Sequence, residues 1–128
     1  VALHTETSIF KDAYDLLSVT AGLVRNMPKD AKPIIGKRLY DDCLDITTLI
    51  ARANMAQDKA PVITELLERV QCTEVQFRMC RDRRFIATNG YAQAVQRTQA
   101  IGRQASGWKK YAMSPASGPS RRPGQSDR

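Results

Sequence analysis

Residues 59–85 read KAPVITELLERVQCTEVQFRMCRDRRF, and this stretch decides the fold class. Ile63, Leu66, Leu67, Val70, Phe77 and Cys80 recur at steps of three, four and seven, which places them on one face of an α-helix. Pro61 falls in the first turn, where its missing N–H costs nothing. A helix with such a stripe must bury it against other elements.

The neighbouring segments supply them. Upstream, the spacing predicts a helix over 31–56, with Ile35, Leu39, Ile46, Leu49, Ile50 and Ala53 inward, Asp30 or a neighbour as cap and Pro33 in the first turn. Before it, a helix over 8–26 carries Phe10, Ala13, Leu17, Ala21 and Val24, with Thr7 as N-cap and Pro28 as its stop. Downstream, Thr88 caps a helix over 88–111, with Tyr91, Ala94, Val95, Ile101, Ala105 and Trp108 inward. There is no alternating strand pattern. Connections this short make consecutive helices antiparallel, so residues 1–113 are expected to form an all-α, up-down-up-down four-helix bundle. Residues 114–128, SPASGPSRRPGQSDR, hold no large apolar side chain and are expected to be a disordered basic tail.

Three helices are apolar on more than one side. The extra residues are Leu16, Val19 and Leu23 on the first, Tyr40, Leu44, Ala51 and Met55 on the second, and Cys72, Val75 and Met79 on the third. A monomeric bundle needs one stripe per helix, so Leu16, Val19, Leu23, Tyr40, Leu44, Met55, Cys72, Val75 and Met79 are expected at contacts between subunits of a homo-oligomer.

The 128 residues suit one core, with no run long enough to span a bilayer and no secretory pattern at the N-terminus. A cytoplasmic protein with no membrane partner is the expectation. Cys43, Cys72 and Cys80 form no CxxC pair and are read as reduced. The only histidine, His4, is near the terminus, so no Ser-His-Asp or Cys-His arrangement can be built, and no glycine-rich phosphate loop is present. Asp41, Asp42 and Asp45 cluster on the second helix without the Glu-x-x-His pairs of a di-metal bundle. Asp41 and Asp45 are read as partners of Lys37, Arg38 or Arg52. No catalytic residue, metal or cofactor is expected; the chain is read as a binding protein and not an enzyme.

Charge is unevenly spread. Residues 1–82 hold eleven Lys/Arg against twelve Asp/Glu, and residues 83–128 hold nine against one, Asp127. A surface without acids cannot neutralise its own cations and attracts polyanions. On the fourth helix, Gln96, Arg103 and Lys110 stand seven residues apart on the outward side, flanked by Gln93, Arg97, Gln99 and Gln104. Amides and cations suit phosphate and sugar oxygens, whereas the few aromatics argue against base stacking. Arg97, Arg103, Lys109 and Lys110 are therefore the expected nucleic-acid contacts, with Arg78, Arg81, Arg83 and Arg84 extending them.

Several blocks across 10–110 carry a resemblance. They are Met27-Pro28-Lys29-Asp30, Ile35-Gly36-Lys37-Arg38-Leu39, Leu49-Ile50-Ala51-Arg52-Ala53-Asn54 with Asp58-Lys59, Phe77-Arg78-Met79 with Arg81-Asp82, Tyr91, and Ile101-Gly102-Arg103 with Gly107-Trp108-Lys109. In order and spacing the chain resembles the accessory variability determinant (Avd) proteins of diversity-generating retroelements. These fall within the four-helix-bundle proteins first noted in ribosomal RNA intervening sequences. The resemblance implies a barrel-like homopentamer whose basic surface engages a reverse transcriptase and its template RNA or cDNA, with catalysis of the mutagenic synthesis left to the polymerase. It also places family glycines on Gly36, Gly102 and Gly107, where small residues would let helices approach. Pro33, Pro61, the polar Ala105-Ser106 pair and the tail depart from the family pattern. Relatives without a retroelement imply an alternative: a protein–protein interaction module with no nucleic-acid role.

Overall fold

The computed structural model describes residues 8–114, which form four α-helices and no strand. Helix α1 spans Ser8–Arg25, α2 Lys37–Met55, α3 Ala60–Asp82 and α4 Thr88–Met113, with a π-helical turn, Lys32–Gly36, leading into α2. Helix α1 packs on α2 and α4, α3 packs on the same two, and among the described residues the diagonal pairs do not meet. This is the expected antiparallel bundle. No described helix is long and apolar enough to cross a membrane. The expected tail beyond Ser114, the cap Thr7 and His4 lie outside the described residues.

Phe77, Leu16, Leu39, Ile46, Ile50, Ile63, Leu66 and Ile101 are fully buried, each stabilising the fold by about 1.5–3 kcal/mol. Leu16 corrects the sequence reading. The sequence pattern puts it at an outer contact, but its side chain is in the core beside Ala13 and Thr20, both also sealed from water. Thr20, Thr47, Thr73 and Thr98 complete the interior, which the apolar stripes had skipped. The first three donate their hydroxyls to the carbonyls four residues back, of Leu16 at 2.7 Å, Cys43 at 3.3 Å and Arg69 at 2.7 Å, so they enter the core satisfied.

The turns depart from the reading in three places. The helix expected over 31–56 is not regular: Gly36 N–H reaches back five residues to the Ala31 carbonyl at 3.1 Å. Pro33 has no N–H for a tighter ladder there. A Cβ on Gly36 would stand 3.0 Å from Val24 Cγ1, so here the expected need for a small residue is met. Thr88 is not the cap of α4. The cap position is Ala87, extended and without a side-chain hydrogen bond.

Finally, α3 stops at Asp82 in a paired hydrogen-bond motif. Phe85 N–H donates to the Cys80 carbonyl at 2.8 Å and Arg84 N–H to the Arg81 carbonyl at 2.9 Å. That motif needs a left-handed residue, and it is Arg84, at φ 62°, rather than a glycine.

Candidate nucleic-acid interface

Helix α4 is acid-free, and its orientation is fixed by two polar ties. Gln104 Nε2 donates to Asp12 Oδ2 of α1 at 2.6 Å, and Thr98 Oγ1 donates to Glu74 Oε2 of α3 at 2.6 Å. Between these edges the outward side is fixed. Arg103 and Lys110 lie on it and, with Gln71, Glu74, Gln99, Gly102, Ser106 and Gly107, line an open groove of about 630 Å³ between α3 and α4. Leu67 and Thr98 form part of its floor.

The other two expected α4 contacts point elsewhere. Arg97 is seven residues before Gln104 and so shares its edge toward α1. It is half-buried and donates to Gln96 Oε1 at 3.2 Å. Lys109 is eleven residues after Thr98, three turns on, and so lies half-buried on the α3 edge. Gln104, read as flanking the outward line, is engaged by Asp12.

Ion pairs among the described residues are Lys37–Asp41, Arg38–Asp42, Arg52–Glu65, Arg69–Asp42 and Arg81–Asp82. None involves α4, so among the described residues none of its four cations is ion-paired to a carboxylate of the earlier helices. Glu74, the only carboxylate lining the groove, accepts the Thr98 hydroxyl and keeps its negative charge there. Asp41 and Asp42 are engaged by different partners, as the pairs show. Asp42, nearly sealed from water, also accepts Gln76 Nε2. Arg38 and Arg52 do not reach Asp41 or Asp45 as the sequence suggested; they pair with Asp42 and Glu65.

Arg78 is seven residues after Gln71 and so lies on the groove side of α3, whereas Arg81, Arg83 and Arg84 stand apart from Arg103 and Lys110. Arg83 and Arg84 occupy the turn before α4, and Lys110 lies more than twenty residues further along, about 30 Å away at 1.5 Å per residue. Arg81 is only half exposed: Asp82 Oδ1 accepts its Nη2 at 3.0 Å, and its Cζ lies 4.3 Å over the Tyr91 ring. Arg103 and Lys110 in the groove and Arg81, Arg83 and Arg84 at the corner are therefore separate groups.

The expected oligomer contacts also divide. Tyr40, Leu44 and Met55 are exposed on α2, and Tyr14, which sequence reading missed, is exposed on α1. Cys72, Val75 and Met79 are exposed on α3. Asp42, Arg52, Glu65 and Arg69 make a polar seam between the two patches. Val19 and Leu23 are half-buried and pack against the core. The family glycines split as well: a Cβ on Gly102 or Gly107 would meet nothing within 4 Å, so neither serves helix packing within the bundle.

Comparison with protein-family models, with curated proteins and with solved structures finds no match for this chain.

Proposed function

We propose that the chain is a non-catalytic accessory subunit that binds RNA or cDNA backbone in the α3–α4 groove and assembles with copies of itself. Its resemblance to the Avd proteins extends this to service of a reverse transcriptase in a diversity-generating retroelement. The observation that carries the nucleic-acid reading is the pair Arg103 and Lys110, free of ion pairs and facing one open groove on an acid-free helix. A polyanion releases its counterions to such a row, so binding should be steeply salt-dependent and weakly sequence-specific.

The test is anisotropy of a labelled single-stranded RNA and of a duplex. Arg103→Glu with Lys110→Glu is expected to weaken binding at least tenfold and to flatten its salt slope, with helicity and assembly unchanged. Equal affinity of the variant, or affinity indifferent to salt, removes the reading.

The exposed apolar side chains Tyr40, Leu44, Met55, Val75 and Met79 favour a second reading, an interaction module that contacts only protein. Under it, neither RNA binds at physiological salt while assembly persists.

A further inference from the structure

At the α3–α4 corner lies a second cavity, of about 680 Å³, lined by Leu23, Asn26, Arg81, Arg84, Phe85, Ile86, Ala87 and Thr88. Its four polar side chains all carry donor groups, and no carboxylate lines it. Arg81 is held in place by the Tyr91 ring and by two hydrogen bonds to Asp82 Oδ1, which leave part of its donor set unused. Arg84 makes no ion pair among the described residues. Leu23, Phe85, Ile86 and Ala87 give the lining its apolar part.

Arg84 supplies the unpaired positive charge, and Arg81, whose charge Asp82 offsets, supplies further N–H donors; such a set suits the several oxygens of a phosphate monoester better than a single carboxylate. The volume far exceeds a bare phosphate and falls in the range of small-molecule sites. The apolar part of the lining needs a flat, weakly polar body attached to the anion.

We propose that this corner cavity binds a nucleoside 5′-monophosphate group, with the phosphate on Arg81 and Arg84 and the ribose or base against Phe85 and Leu23. The proposal rests on the nucleic-acid reading only for one source of that group, the 5′ end of a strand; a free nucleotide is the other.

The experiment is a chemical-shift titration of the full chain with AMP, inorganic phosphate and adenosine, paired with anisotropy of one RNA bearing a 5′-phosphate or a 5′-hydroxyl. The variant is Arg84→Gly, which removes a guanidinium while glycine accepts the left-handed backbone. AMP is expected to shift the amides of Leu23, Asn26 and Phe85 to Thr88, and adenosine to need at least tenfold more. Arg84→Gly should weaken AMP about tenfold. A 5′-phosphate preference that Arg84→Gly abolishes identifies the strand end as the source; AMP binding without such a preference identifies the free nucleotide. Absent shifts, adenosine equal to AMP, or an unaffected variant overturns the site. Loss of RNA binding with AMP binding retained removes the proposed function and leaves this cavity; the reverse outcome does the opposite.

Discussion

The Leu23 side chain of α1 fills the space that a Cβ on Gly90 of α4 would need. The two helices thus pack closely near the start of α4, while Gly22, Gly102 and Gly107 face open space. Gly107→Ala should raise stability by up to about 1 kcal/mol, through helix propensity alone. Gly90→Ala forces Leu23 out of its place, so its melting temperature should fall below that of Gly107→Ala by a few degrees. Calorimetry of the two variants decides; an equal gain in both would show that Leu23 yields freely.

Lys59 caps α2 from outside the helix. Its ammonium donates to the carbonyls of Ala53 at 3.2 Å, Asn54 at 2.9 Å and Ala56 at 2.9 Å, using all three of its donors. Lys59→Met keeps the stem and loses the donors, and should cost about 1–3 kcal/mol in chemical denaturation. A loss within experimental error would mean water replaces the ammonium without penalty.

Burial pushes the Cys43 thiol up to about 12, against a smaller opposing effect of its contact with the Thr20 hydroxyl. The unfolded thiol ionises near its ordinary value of 9.0, so above that pH thiolate formation favours the unfolded chain. Stability should fall by about 1.4 kcal/mol per pH unit between 9 and 12 from this group, and not below 9. Cys43→Ala, although less stable overall, should lose that part of the slope. Parallel stability-versus-pH curves for the two proteins would contradict it.

The two exposed apolar patches predict two independent ways to break an assembly. Leu44→Glu with Met55→Glu on α2, or Val75→Glu with Met79→Glu on α3, should each lower the sedimentation coefficient toward that of a monomer while leaving the melting of the monomer nearly unchanged. Cys72 reports on the same face: its alkylation should be slow in the assembled protein and fast in the α3 variant. Leu16→Ala should instead cost about 2–5 kcal/mol, because that side chain is in the core. A wild-type monomer at micromolar concentration would end the case for assembly.

The repeat of Ile63, Leu66, Val70 and Phe77 was enough to place α3, because a period near 3.6 has one structural meaning in a chain with no alternation. Leu16 was misassigned for a related reason: α1 buries Ala13, Leu16 and Thr20 together, and a scan for apolar residues does not see a threonine that satisfies itself on its own helix. Arg103 and Lys110 were legible as a seven-residue pair. The edges on which Arg97 and Lys109 lie depended on which helix stands beside α4 on each side, and the linear order does not say this. Nor does it mark Arg84 as a left-handed residue, since a glycine is the usual sign of that backbone.

The polar seam of Asp42, Arg52, Glu65 and Arg69 has one further consequence. In the proposed assembly, should the α2 strip of one copy meet the α3 strip of the next, the contact is head to tail and growth stops only when a closed circle forms. A copy spoiled on one strip can still attach through the other and end the row it joins. Mixed with sound copies, it should poison far more of them than its own number.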